Sequence, residues 1–299
     1  MNEYQIKAYA KVNLGLDVVR RLPNGYHQVK MVMQSVDLCD ELLLEKTESG
    51  IFLTTDSDVL PMDENNLIYK AARLMRETYG LKEGIRIHLH KRIPIAAGMA
   101  GGSTDAAAAM KGISRLFGLH VPVSRLMELG VAIGADVPYC ILGGTALAEG
   151  IGEKLTPLTP MPDCFIVGAK PGISVSTKYV YEHLDAEGIG RHPDIDGMVE
   201  AIRGGKLSGI LERMENVLET VTIPAWPVVG IIKDRMSGLG AEKALMSGSG
   251  PTVFGIFTEK EKAETACEQI RKENLAEQVF ATTPVSILEE PDGLVSLGD

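Results

Sequence analysis

The sequence predicts an α+β protein of two domains, and three observations lead there. Strand-like and helix-like segments are interleaved without the strict strand–helix–strand repeat of a doubly wound sheet. The chain has 299 residues, enough for two units of ordinary size. Pro157, Pro160 and Pro162 cluster in one short stretch near its middle. The boundary is expected there, giving units of 1–155 and 156–299.

The elements follow in order. Ile6 to Leu16 alternates and reads as a strand. Ile6, Ala8, Ala10 and Val12 would share one face, and Lys7, Tyr9, Lys11 and Asn13 the other. Glu41–Lys46, Ile51–Thr55 and Ile85–His90 are further strands. Asn66 to Tyr79 has helical spacing, with Leu67, Ala71, Leu74 and Met75 as its apolar stripe and Gly80 as its stop. Ser103 to Phe117 reads as a helix ending at Gly118. Ser103 or a neighbour would cap it, and Asp105 would sit in its first turn as an acid favoured by the helix dipole. Ser124 to Ile133 is a second amphipathic helix, closed by Gly134. A small-residue strand begins at Gly144.

Beyond the proline cluster, Cys164–Lys170 looks like a buried strand. Thr177–Leu184, Asp196–Arg203 and Leu207–Leu218 look helical, and Ile223 to Pro227 breaks them. A helix over Val228–Ser237 follows. Strands over Lys243–Met246 and Thr252–Phe257 flank the turn Ser247-Gly-Ser-Gly-Pro251. Glu259–Glu273 is a charged amphipathic helix, Val279–Ile287 a last strand, and the tail is glycine-rich and acidic.

Composition narrows the function. Hydrophobic residues make up 45% and charged residues 23%, as in ordinary globular proteins. The net charge of −10 disfavours non-specific nucleic-acid binding, which depends on neutralising phosphates. A nucleotide stays open, because a nest of backbone N–H groups binds phosphate with little side-chain charge. No apolar run is long enough to span a bilayer, and the polar start Met1-Asn-Glu-Tyr-Gln lacks a signal-peptide core. A cytoplasmic protein with no membrane or nucleic-acid partner is expected. Cys39, Cys140, Cys164 and Cys267 are scattered and read as free thiols. His88 and His90 read as one polar strand face rather than a metal site.

Five segments carry chemistry. The first is Pro94-Ile95-Ala96-Ala97-Gly98-Met99-Ala100-Gly101-Gly102-Ser103-Thr104, running straight into an alanine-rich helix. Its glycines let backbone N–H groups turn inward, and helix N-terminal amides seat a phosphate. It lacks the lysine of the P-loop and the spacing of the dinucleotide fingerprint. The hydroxyls of Ser103 and Thr104 could meet phosphate or Mg²⁺. The second is Lys11 with Asn13, on one strand face, able to steer a phosphate or pair with a carboxylate; alone it would read as a solvent-facing lysine. The third is Gly134-Ala-Asp136-Val-Pro138, either a structural turn or a carboxylate held as general base. The fourth is the Ser247–Thr252 turn, either a plain hairpin or a platform closing over the phosphate loop. The fifth is Asn24-Gly25-Tyr26-His27, either a surface turn or an aromatic pair for a heterocycle.

Together these segments resemble the GHMP kinases, small-molecule kinases that include homoserine and mevalonate kinases. Pro94 to Ser103 is similar to the family motif P-x-x-x-G-L-x-S/G-S/G-A/S, with Met99 where leucine is commoner. Gly248-Ser-Gly-Pro-Thr252 is similar to the family's C-terminal glycine motif. Gly25-Tyr26-His27 with Ala135-Asp-Val-Pro138 narrows the resemblance to one branch, and it spans nearly the whole chain.

The resemblance implies a ribosomal-protein-S5-like N-terminal domain, a C-terminal α/β sandwich, and ATP with Mg²⁺ as cofactors. It implies that Asp136 is the general base and Lys11 its partner. Residues 94–104 would hold the ATP phosphates, and Asn66, or its neighbour Asn65, would lie near the nucleoside. Asn13, Tyr26, His27, Thr177 and Tyr181 would hold the acceptor, a small molecule in the form of a cytidylated methylerythritol. Ser176 stands where some members have proline. The protein would be a monomer or a homodimer, and no metal ligand is identified. A different GHMP acceptor, or a non-catalytic sensor on the same fold, are the alternatives; the presence of both Asp136 and Lys11 speaks against the sensor.

Overall fold

The computed structural model describes residues 2–286; the glycine-rich tail and the expected end of the last strand at Ile287 lie outside them. The N-terminal half is built on one long hairpin, β1 (Glu3–Arg21) against β2 (His27–Thr47), antiparallel. The sequence reading found only the last part of β2. Met31 to Val36 is buried at every position, so it shows no alternation to read. β2 also pairs with β4 (Gly84–His90) and with β5 (Thr145–Gly150). β3 (Ile51–Thr55) runs parallel to β4, and β6 (Lys154–Pro157) closes the other edge.

The expected two-faced pattern of β1 holds only for its first half. A register shift between Tyr9 and Lys11 interrupts the pleat, and every residue from Ala10 to Asp17 is buried. Lys11 and Asn13 are thus buried polar groups, not members of a solvated face.

The helices α1 (Leu67–Tyr79) and α2 (Gly101–Leu116) pack on this sheet and on each other. Asn66 caps α1: its Oδ1 accepts the Ile68 N–H at 2.9 Å, and Gly80 ends the helix in a left-handed conformation. The buried stripe of α1 is Ile68, Ala71, Ala72 and Met75, with Leu67 and Leu74 at its margins. α3 (Val123–Gly130) stops three residues earlier than expected. The short helix α4 (Val137–Leu142), opened by Pro138, was missed because it is under two turns long.

The C-terminal half carries an antiparallel four-stranded sheet in the order β10 (Gln278–Thr282), β7 (Phe165–Lys170), β9 (Val253–Phe257), β8 (Lys243–Met246). Helices α9 (Val228–Gly238) and α10 (Lys260–Lys272) cover it. Between lie α5 (Thr177–His183), α6 (Ile195–Arg203), α7 (Leu207–Arg213) and α8 (Glu219–Ala225). The single helix expected over Leu207–Leu218 is therefore cut short at Arg213. The residues after it leave the helix so that Asn216 can bridge to Leu16 of β1. Pro224, read as a break, sits inside the last turn of α8. This mixed α and β architecture, with two sheets, is the fold class the sequence predicts.

Candidate active site

The glycine loop meets α2 through an unusual backbone. Ala96, Gly98 and Ala100, at alternate positions, have φ of 52°, 71° and 58°. Alternating left-handed residues turn successive N–H groups to one side and form an anion nest. Two of the three are alanine, for which this conformation costs about 1–2 kcal/mol each, and such strain collects at functional sites. Ala100, not Ser103, is the N-cap, and α2 starts at Gly101. The first intrahelical bond runs from the Thr104 N–H to the Ala100 carbonyl, 2.9 Å. The amides of Gly101, Gly102 and Ser103 precede it and remain for an anion at the positive end of the helix.

The early start also moves Asp105 past the first turn. It is buried against Lys91 instead of lying at the surface near the helix end. The Thr104 hydroxyl turns inward and donates to the Tyr9 carbonyl at 2.8 Å, so it is committed to the fold. Ser103 lies at the other side of the mouth. Its hydroxyl is 3.9 Å from where a Cβ of Gly134 would stand.

The Ser247–Pro251 turn closes a hairpin and also packs on the glycine loop. It closes the β8–β9 hairpin, with the Ser247 N–H donating to Thr252 at 2.9 Å. It lies against the loop of residues 94–104. A Cβ on Gly98 would stand 2.2 Å from the Ser247 carbonyl oxygen, and one on Gly248 would stand 3.2 Å from the Gly98 carbonyl oxygen. That Gly98 carbonyl accepts from the Ser247 hydroxyl at 2.9 Å and from the Lys11 ammonium at 3.0 Å.

Lys11 also donates to Asn13 Oδ1 at 2.7 Å, confirming that the two side chains share a face. Its hydrogen bonds go to Asn13 and Gly98; among the described residues no ion pair joins it to Asp136. Both charges nonetheless act on one group. Burial pushes the Cys140 thiol up, the Asp136 carboxylate adds to this, and Lys11 opposes it. All four cysteines are buried and free.

Asp136 stands at the start of α4, and its side chain makes no capping hydrogen bond. It is half-buried. α4 is anchored beneath it by Tyr139, which is fully buried and donates to the Gly144 carbonyl at 2.8 Å. With its one proton committed, Tyr139 accepts from the Ser35 hydroxyl at 3.1 Å.

Asp136 is also felt at the aromatic residues. Burial and then the Asp136 charge push the Tyr181 hydroxyl up. The Tyr181 ring lies 5.2 Å from that of His27, centroid to centroid. Burial, helped by Arg21, holds His27 below its usual range, which favours the neutral ring. Tyr26 is 60% exposed on the turn beside it. Its N–H donates to Asn24 Oδ1 at 3.2 Å, and Gly25 takes φ 86°.

The remaining expected residues fall as follows. Thr177 shares a 2.8 Å hydrogen bond with Ser249, tying α5 to the glycine turn. Ser176 caps α5 by accepting the Tyr179 N–H, a role proline could not fill. Asn66 uses both ends of its amide, the second donating to Pro61 at 2.8 Å, whereas Asn65 is exposed and held by Asp63. Among the described residues no group of three or more His, Cys, Asp or Glu could hold a metal ion.

Sequence reasoning missed Asn216. It is buried, and its amide donates at 2.8 Å to the carbonyls of both Met246 and Gly248, fixing the glycine turn from behind. Nothing in its local sequence marks it. It also missed Asp40 and Lys91, which lie beneath the loop.

Comparison with known proteins bears on this arrangement. A sequence profile described as "GHMP kinases N terminal domain" matches residues 66–144, and one described as "GHMP kinases C terminal" matches residues 198–276. The 4-diphosphocytidyl-2-C-methyl-D-erythritol kinase of Lachnospira eligens is 55% identical over 284 residues, covering 94% of this chain and 98% of the relative. That of Lachnoclostridium phytofermentans is 48% identical, covering 94% and 97%. Among solved structures, a 4-(cytidine 5'-diphospho)-2C-methyl-D-erythritol kinase superposes with a TM-score of 0.81 at 35% identity, covering 94% and 99%. A homoserine kinase from Cytophaga hutchinsonii shares the fold, with a TM-score of 0.77 at 22% identity and 96% of each chain covered.

Proposed function

Because the chain belongs to the GHMP kinases, ATP-dependent kinases of small molecules, we propose that it phosphorylates the 2-hydroxyl of 4-diphosphocytidyl-2-C-methyl-D-erythritol in non-mevalonate isoprenoid precursor synthesis. Relatives named for that activity, at 45–55% identity over nearly the full chain, support the choice of acceptor. One observation carries the reading. Asp136 adjoins the mouth of α2 through Gly134 and Ser103, and its charge reaches Tyr181 of the aromatic pair. A single carboxylate thus serves a phosphate seat on one side and a base-binding wall on the other.

In this reading the loop amides and the α2 N-terminus grip the triphosphate. His27 and Tyr181, with Tyr26 at the rim, hold the cytosine. Asn13, positioned by Lys11, and Thr177 border the rest of the acceptor. Asp136 takes the proton from the tertiary hydroxyl as its oxygen attacks the γ-phosphorus. The new O–P bond forms as the bond to the ADP oxygen breaks, and ADP leaves. Lys11 acts through Gly98 and Asn13 rather than by a direct ion pair with the base. Most of the acceleration then comes from positioning and charge stabilisation.

Among the described residues no cluster of three or more His, Cys, Asp or Glu side chains could cage a metal, which fits Mg²⁺ carried in on the nucleotide with few protein ligands. Ser103 is the hydroxyl that would reach it, and the ion would supply charge neutralisation. The deciding experiment offers ATP with the cytidylated acceptor, homoserine or mevalonate. Turnover should occur with the first. Turnover with another alone would reassign the acceptor, and turnover with none would favour a ligand sensor.

A further inference from the structure

Met31 of β2 sets its sulfur against the amide that Lys11 holds. Asn13 Nδ2 donates to Met31 Sδ at 3.3 Å, and both residues are buried, Asn13 at 1% exposure and Met31 at 7%. The pairing of the strands explains the contact. Asn13 lies opposite Met33, and Met31 is the next residue of β2 on that face, so it is a diagonal neighbour of Asn13. A long unbranched side chain spans that diagonal. Beyond the sulfur, the turn between β5 and β6 fences the methyl end. A Cβ on Gly152 would stand 3.2 Å from Met31 Cε.

The chemistry of the three groups leaves the amide one orientation. The Lys11 ammonium only donates, so Asn13 turns its oxygen toward it, 2.7 Å away. A thioether sulfur only accepts, so the nitrogen faces Met31. A flipped amide would set N–H against ammonium and oxygen against sulfur. The oxygen end is also closed by the glycine turn, where a Cβ on Gly248 would stand 3.5 Å from Asn13 Oδ1. A line of buried contacts thus runs from Met31 to Asn13, from Asn13 to Lys11, and from Lys11 to the Gly98 carbonyl.

We propose that Met31 is a positioning residue whose sulfur locks the Asn13 amide in the orientation that the acceptor meets. The proposal rests on the reading of Asn13 as a border of the acceptor pocket.

A methionine in a buried run commonly fills a gap. That role asks only for volume, and leucine would meet it. The lock asks instead for a lone pair at the sulfur position. Leucine would leave the Asn13 N–H buried beside methyl groups, and the amide would tilt away to find a partner. Glutamine would restore an acceptor, at the expense of a polar group among apolar neighbours. Packing and locking therefore rank the two substitutions in opposite order.

The test compares Met31→Leu, Met31→Gln and Asn13→Ala in the full chain. Met31→Leu should raise acceptor KM about three- to tenfold, the size of one neutral hydrogen bond, with KM for ATP held within about twofold. Met31→Gln should bring acceptor KM back toward the parent. Proton–nitrogen spectra of protein labelled at asparagine, with the Asn13 signals assigned from Asn13→Ala, read the lock with no substrate present. The Asn13 amide protons should shift in Met31→Leu. In Met31→Gln the bonded proton should move downfield, because a carbonyl oxygen is a stronger acceptor than a thioether.

Asn13 signals unmoved in Met31→Leu would overturn the lock. So would an acceptor KM that stays at the parent value in Met31→Leu and worsens in Met31→Gln. If Met31→Leu fails to fold, Met31→Gln decides alone, and a bonded proton that does not move downfield overturns the lock. Acceptor KM unchanged in Asn13→Ala would instead refute the reading of Asn13 as a border of the pocket, while the spectra would still decide for or against Met31.

Discussion

A methyl group added at Gly98 should damage the protein far more than one added four residues later at Gly102. Gly98 has φ 71°, and its new Cβ would fall 2.2 Å from the backbone oxygen of Ser247. No side-chain rotation relieves that contact, so either the loop or the β8–β9 turn must shift. The left-handed conformation costs an alanine about 1–2 kcal/mol, and forcing the packed backbones apart adds about 1–3 kcal/mol. The sum, about 2–5 kcal/mol, corresponds to a fall in Tm of roughly 4–15 °C in a chain of this size.

The same shift moves the Gly98 carbonyl off Lys11, so KM for ATP should rise together with the loss of stability. At Gly102 the nearest atom to a new Cβ is Leu67 Cδ1 at 3.5 Å, an ordinary contact, within a helix. Gly102→Ala should therefore raise stability by about 0.5–1 kcal/mol through backbone entropy alone. Differential scanning calorimetry with ATP titration reads both variants. Equal Tm values for the two, or an unshifted Tm in Gly98→Ala, would refute the claim that the turn and the loop are in fixed contact.

Other expectations concern chemistry and support. Asp136→Asn should fold and bind ATP, with kcat lowered about 10²–10⁴-fold, as for loss of a general base; near-normal turnover in a stopped assay would remove Asp136 from that role. Asn216→Ala orphans two buried carbonyls and the Leu218 N–H. It should cost about 2–5 kcal/mol in urea unfolding, whereas less than half that would mean water replaces the amide. For His27 the direction is set by burial: its proton is bound only below the usual 6.5. Acceptor KM should hold steady above that pH and rise as the solution is acidified and the ring charges, and His27→Asn should flatten the acid limb. A limb unchanged in that variant would assign it to another group.

Much of this site could be read from local sequence, and the reason is that its main parts are local. The glycine loop, the start of α4 and the Tyr26-His27 turn each keep their signal within about ten residues. The β8–β9 turn was legible as a hairpin, but its role as a lid on Gly98 needed the fold, because its partner is 149 positions away. The burial of Lys11 was hidden for a related reason. Its alternating neighbours suggest a wet face, yet the register shift at Tyr9 and burial on both sides of β1 place it in the interior. Asp105 misled because the helix starts two residues early, at a left-handed alanine that no capping rule selects. Asp40, Lys91 and Asn216 carry no local pattern at all; they matter only through contacts across strands and between halves.

The Gly98 carbonyl accepts one hydrogen bond from the first sheet, through Lys11, and one from the second half, through Ser247. A single oxygen thereby ties the two halves together beside the loop proposed to seat the nucleotide. Fragments divided between Pro157 and Cys164 should each lack nucleotide affinity and recover it on mixing. Chimeras that graft one half onto a distant cousin's other half would inherit an ill-fitting joint before they inherited an altered specificity.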